Sequence, residues 1–150
     1  MTLEFCGAAA EVTGSCQIVP IGDSRGVLDC GLIQGGRRDE DRNRDPVPFD
    51  GSKIDAVVLS HAHLDHCGRL PLLVKRGFRG PVFAQEASCE LVAILLADAA
   101  HLAERDAEYR SRKIGKKVKP LYTLKEGEQV IRQLRGRKYR TEFKVIKGVR

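Results

Sequence analysis

Three of the four histidines in this chain fall within six residues, in the run Ser60-His61-Ala62-His63-Leu64-Asp65-His66-Cys67-Gly68, with an aspartate among them. Neutral imidazole and ionised carboxylate are donors for divalent metal ions, zinc above all, with manganese or iron as alternatives. In an extended backbone, residues two apart point to the same side, so His61 and His63 can grip one ion from a strand end. A turn into a helix brings Asp65 and His66 to the same pocket. That is more ligand than one ion needs from so short a segment. It points to two ions, His61 and His63 on one, Asp65 and His66 on the other. Two ions about 3.5–4 Å apart can clamp a phosphate during an in-line displacement. A helix N-terminus beside them favours an anionic substrate. A lone histidine is more often a core or surface residue than a ligand, and His101, in mid-helix, reads that way.

The elements that must position this run are legible around it. Ile54 to Leu59, almost wholly apolar with two adjacent valines, reads as a strand buried on both faces. Upstream, Leu3–Cys6, Cys16–Ile21 and Val27–Cys30 read as strands, with a turn at Gly22-Asp23-Ser24 and a stop at Gly31. Residues 35–50 are polar, charged and Pro-interrupted, and read as a loop. Downstream, a helix is expected from about His66–Gly68 to Arg76, with Pro71 in its first turn and Gly77 ending it. Pro81–Ala84 reads as a strand. A long helix is expected from an N-cap at Ser88 to about Tyr109, burying a stripe of Leu91, Leu95, Ala99 and Leu102, broadened by Val92 and Ile94. After it come a basic loop over 110–119, Leu121-Tyr122-Thr123, and strand candidates at Glu128–Arg132 and Thr141–Ile146. Strands alternating with helices give an α/β layered domain.

Composition narrows the setting. At 150 residues and 42% hydrophobic, the chain has material for one domain with a core. No run of about 18 apolar residues occurs, which excludes a transmembrane helix, and the N-terminus has no signal-peptide pattern. Cys6, Cys16, Cys30, Cys67 and Cys89 are odd in number and lie far apart, so free thiols and a cytoplasmic setting are expected. The net charge of +6 is uneven. Residues 1–109 carry net −6 and residues 110–150 net +12. Lys113, Lys116, Lys117 and Lys119 are candidate nucleic-acid contacts on that ground, a solvated surface being the other reading.

The motif H-x-H-x-D-H after an apolar strand resembles the metal-binding motif of the metallo-β-lactamase superfamily. More of the chain resembles that superfamily's β-CASP branch. Gly7-Ala8-Ala9-Ala10-Glu11-Val12-Thr13-Gly14-Ser15 is similar to its G-x-x-x-E-V-T-G-S opening. Leu28-Asp29-Cys30-Gly31 with Gln34-Gly35 is similar to its D-C-G-x-x-Q-G element. Leu59 to Pro71 is similar to its L-T-H-A-H-x-D-H-x-G-R-L-P, and Gly77-Phe78-Arg79-Gly80-Pro81-Val82 to its G-F-x-G-P-I.

The resemblance implies the N-terminal part of a four-layered αββα sandwich and zinc-dependent phosphodiester hydrolysis. RNA is the implied substrate, with DNA as the other nucleic acid the branch processes. It assigns the ligand roles to His61, His63, Asp65 and His66, a part in orienting the attacking water to Asp65, and to Asp29 the support of the ligand loop. It also implies further ligands and an inserted β-CASP domain that this sequence does not contain. The chain therefore reads as a partial metallo-β-lactamase domain over 1–150, doubtful as an enzyme alone. A second copy or a complementing C-terminal chain would then cover its exposed sheet face. An RNA- or partner-binding fragment without catalysis, and a thioester or lactam hydrolase of the same fold, are the alternatives.

Overall fold

Short apolar runs pair into one six-stranded sheet in a computed structural model, which describes residues 2–149. The strands are β1 (Glu4–Gly7), β2 (Cys16–Ile21), β3 (Ser24–Leu28), β4 (Ala56–Val58), β5 (Val82–Gln85) and β6 (Leu134–Arg137), in spatial order β1-β2-β3-β4-β5-β6. β1, β2 and β3 form an antiparallel meander, and β3 to β6 are parallel. Crossovers of one hand between parallel strands laid down in sequential order put their helices on one face. These helices are α1 (Arg37–Asp41), α2 (Leu64–Cys67), α3 (Leu70–Lys75), α4 (Glu86–Ile114) and α5 (Leu124–Gln133). Ile18, Val27, Val57, Val82 and Ala84 turn to that face and pack with Leu70, Leu73, Val92, Leu96 and Val130. Ala56, Val58 and Phe83 turn to the other, where Phe143, Val145, Ile146 and Val149 cover them. β4 is thus buried on both faces, as its composition predicts.

Several expectations are corrected. Residues 35–50 are not a plain loop but contain α1 and a 3₁₀ turn at Arg42–Arg44, and a second 3₁₀ turn follows at Gly51–Lys53. The buried Asn43 organises them: its amide donates to the Ile33 carbonyl at 2.7 Å and accepts from the Ile33 N–H at 2.8 Å. The single helix expected up to Arg76 is two, α2 and α3, broken at Gly68-Arg69. The Asp65 and His66 carbonyls, which would continue the helical ladder, instead accept from Ser15 N at 2.9 Å and Cys30 N at 2.7 Å. Pro71 then opens α3 at its first turn.

The long helix starts earlier and ends later than expected. Its N-cap is Gln85, whose side chain accepts from Ala87 N and Ser88 N, so Ser88 lies in the first turn. Gly115, left-handed at φ +67°, ends it, which places Arg110 to Ile114 in the helix rather than in a loop. The buried stripe is Val92, Leu96, Ala100 and Ala107, while Leu91, Ile94 and Leu102 are exposed. Small residues meet where α4 and α5 pack: a Cβ on Gly127 would lie in ordinary contact, 3.4 Å from the Leu96 carbonyl oxygen and 3.6 Å from the Ala100 Cβ. Leu96→Ala should therefore cost about 2–5 kcal/mol and Leu91→Ala little. Denaturant unfolding of the two variants checks the rotation, and the reverse ranking would overturn it.

Glu128–Arg132 is helix, not strand. Thr123 and Glu126 form a capping box, with Thr123 N donating to the Glu126 carboxylate at 2.7 Å, and this starts α5. Thr141–Ile146 forms no strand; a single bridge joins Ile146 to Val149. This segment leaves an apolar groove of about 480 Å³ along Val19, Ile21, Leu28 and Val58. The five cysteines are free thiols, and among the described residues no helix is long and apolar enough to cross a membrane.

Candidate metal centre

The histidine run lies beyond the carboxyl end of β4, beside the carboxyl end of the parallel strand β3, the edge at which open α/β sheets bind ligands. His63 is the N-cap of α2, and Leu64 to Cys67 make its single turn. The His61 and His63 rings meet edge to face with centroids 4.6 Å apart, and the His61 and His66 rings are 4.0 Å apart. Asp65 Oδ2 lies 3.5 Å from His66 Nε2. The fold therefore brings together all four residues expected from the motif. His63 is exposed, and the others are half-buried.

Asp29 supports them from below. It leaves β3 in the left-handed region at φ +57°, which aspartate tolerates better than most side chains. The turn buries its carboxylate under the loop. Oδ1 accepts from Ser60 N at 2.8 Å; Oδ2 accepts from Ser60 Oγ at 2.8 Å and from His66 Nδ1 at 2.8 Å. A carboxylate only accepts, so Nδ1 of His66 carries a hydrogen, which leaves Nε2, beside Asp65, as the nitrogen a metal would take. Ser60 Oγ also lies 3.0 Å from His61 Nδ1, tying a second ring by the same nitrogen.

Sequence reasoning missed Ser60 and Ser15 as supports. Ser15 Oγ donates to Asp29 Oδ2 at 3.4 Å, and its backbone N–H holds the Asp65 carbonyl. The signal was present, since Ser15 closes the E-V-T-G-S run and Ser60 directly precedes His61. The same opening run makes two further ties. Thr13 exchanges hydrogen bonds with the Gln34 backbone at 2.9 and 3.0 Å, and Glu11 forms a two-pronged pair with Arg42 at 2.7 and 2.9 Å.

Beneath the loop the chemistry is inert. Burial pushes the Cys67 thiol up to about 12, with the Asp29 and Asp65 charges adding to it, so it stays protonated and donates to the Ala62 carbonyl at 3.3 Å. Hydrogen bonding with Cys30 and then burial push the Cys16 thiol up as well. His101 is exposed on α4, away from this cluster. Lys113 lies exposed in the last turn of α4, and Lys116, Lys117 and Lys119 lie exposed in the loop after it.

Imidazole and carboxylate suit zinc in donor type, and the fixed Nδ1 of His66 is how metal-binding histidines are held. Among the described residues, no three or more His, Cys, Asp or Glu side chains converge on one point. The donor types fit a metal, and those present do not form a closed three- or four-ligand site.

The family model of the Metallo-beta-lactamase superfamily matches residues 22–141. Among similar proteins, Ribonuclease TTHA0252 of Thermus thermophilus is 53% identical over 93 residues, covering 62% of this chain and 21% of that protein. Transcription termination factor FttA of Methanothermobacter thermautotrophicus is 38% identical over 134 residues, covering 84% of this chain and 21% of that protein. Probable RNase MJ4 of Methanocaldococcus jannaschii is 40% identical over 108 residues, covering 71% of this chain and 24% of that protein. The chain thus spans about a fifth of the length of these relatives.

Proposed function

We propose, since this chain belongs to the metallo-beta-lactamase superfamily, that it carries the histidine-rich part of a zinc-dependent ribonuclease of the β-CASP branch. The observation that carries this is the Asp29–His66 pair at 2.8 Å beneath the gathered rings of His61, His63 and His66. The relatives' names supply the substrate: two are called ribonucleases and one a transcription termination factor.

In this reading His61 and His63 hold one ion, and Asp65 and His66 the other. When bound, the ions supply Lewis-acid activation of water and neutralise charge on the phosphoryl group. The chain's own residues do the positioning. Asp29 and Ser60 hold the Nδ1 edges of His66 and His61, so that each ring turns its Nε2 outward. Asp65 adds a carboxylate beside His66 that can orient a water by accepting its hydrogen.

Two donors per ion leave most positions to other ligands. The chain alone should therefore hold zinc loosely, and the intact centre needs donors from another segment or chain. The work would be done in the cytoplasm, where RNA is processed.

The test is His63→Ala placed in a full-length protein bearing this segment. Cleavage of a labelled RNA in the presence of zinc should fall by at least about 10³-fold, as for loss of an essential catalytic group, while RNA binding in chelator stays within about twofold. Wild-type cleavage by the variant would overturn the assignment. A thioester substrate run in parallel separates the ribonuclease from a thioesterase of the same fold.

A further inference from the structure

Two stretches far apart in sequence meet in a surface cleft of about 510 Å³ beside the end of α4. Arg37 and Arg44 come from one, and Tyr109, Arg110, Lys113 and Ile114 from the other. Their charges are not equivalent. Arg110 is held by Asp106 at 2.7 Å and Asp41 at 3.5 Å. Among the described residues, Arg37, Arg44 and Lys113 form no ion pair; the Arg44 guanidinium donates to the Lys119 carbonyl at 3.2 Å. Asp106 is the carboxylate lining the cleft, and Arg110 already answers it. Tyr109 and Ile114 are each 59% exposed beside these cations.

Lys113 in the last turn of α4 also complements that helix's dipole. No such reason applies to Arg37, which opens α1, where the dipole disfavours a cation. An exposed aromatic ring among cations lacking carboxylate partners suits one ligand class. The cations follow a phosphate backbone while the ring stacks on a base. A neighbouring cleft of about 400 Å³ shares Arg44, Asp106 and Arg110 with it and is lined also by Glu40 and Asp41, carboxylates that repel a phosphate backbone.

We propose that this cleft is a binding site for single-stranded RNA, separate from the metal centre. In it Arg37, Arg44 and Lys113 contact phosphates and Tyr109 stacks on a base. The choice of RNA rests on the ribonuclease reading; the site itself rests on the convergence of the two stretches. Lys116, Lys117 and Lys119 would add a diffuse attraction around it.

The experiment is fluorescence anisotropy of a labelled oligo-uridine RNA of about ten nucleotides titrated with the 150-residue chain in chelator. Arg37→Glu with Arg44→Glu should weaken binding by at least about tenfold and flatten the log–log salt slope by about 1.4, at ~0.7 per phosphate contact. Tyr109→Ala should weaken it about fivefold or more through lost stacking. Lys53→Glu with Lys147→Glu, the same charge change at exposed positions elsewhere, should stay within about twofold. Circular dichroism of each variant excludes misfolding as the cause. No RNA binding by the parent chain, equal losses in the two charge-reversed pairs, or an unaffected Tyr109→Ala variant would each overturn the proposal. Zinc-dependent cleavage is measured separately in full-length protein. Its absence with the cleft intact counts against the ribonuclease reading alone, and the reverse pattern against the cleft alone.

Discussion

Gly31→Ala is expected to destabilise this chain by about 3 kcal/mol or more, lowering its melting temperature by roughly 6–12 °C, or to prevent folding. A Cβ built on Gly31 would lie 1.6 Å from the Asp65 carbonyl oxygen, 2.0 Å from its carbon and 2.6 Å from His66 N. Those atoms are backbone, and no rotamer change can move them aside. They are also pinned: the Asp65 carbonyl accepts from Ser15 N, the His66 carbonyl from Cys30 N, and the Gly31 N–H donates to the Ser15 carbonyl. Accommodating one methyl group means pulling residues 65–66 away from 30–31, which displaces Asp65 and His66 together. Thermal unfolding by circular dichroism, with a zinc titration alongside, checks this. If the variant melts with the parent and holds zinc as well, the two segments do not approach as described.

Asp29→Ala should separate the metal centre from its support. Four donors lose their acceptor, namely Ser60 N–H, Ser60 Oγ–H, His66 Nδ1–H and, more weakly, Ser15 Oγ–H. A buried donor left unpaired costs about 1–3 kcal/mol, so a loss of about 3 kcal/mol is expected even if one of them finds water. Zinc affinity should fall by about 10–100-fold, as when a carboxylate is removed from behind a metal-binding histidine. Asp29→Asn is the sharper test. Asparagine tolerates the left-handed backbone and can still accept from Ser60 N, so most of the stability remains. Its NH₂ group, set against His66 Nδ1, would force the hydrogen onto Nε2 and remove the lone pair meant for metal. Competition with a chromophoric chelator should therefore rank zinc affinity as parent above both variants, with Asn far closer to the parent in melting temperature than in affinity. Equal zinc affinity in parent and Asn variant would mean that the Asp29–His66 bond does not set the ring.

The spacing of His61, His63, Asp65 and His66 was sufficient to locate the candidate centre, because its donors are local. The single helical turn brings Asp65 and His66 in beside His61 and His63, although β4 ends at Val58 and those two histidines lie in a bent loop beyond it, not on the extended strand end that was expected. The β2 strand, the doubly buried β4, the stop at Gly77 and the α/β alternation were legible for the same reason, since each depends on side chains within a few residues. The capping box at Thr123 was equally local and could have shown α5 where a strand was expected.

What tertiary structure alone decided was everything that depends on what another segment presses against. The buried face of α4 runs through Val92, Leu96, Ala100 and Ala107 and leaves Leu91 and Leu102 outside, because that is the face on which the sheet and α5 pack. The helix after the histidines breaks because Ser15 and Cys30, distant in sequence, take the carbonyls its ladder would use. Asp29 supports His66 across 37 residues of chain, and Arg37 and Arg44 reach Tyr109 and Lys113 across a longer stretch still. A sequence displays the chemistry of each residue and the period of its neighbours. Which distant carbonyl is already bonded, and which helix face has room for another backbone, is settled only when the segments pack.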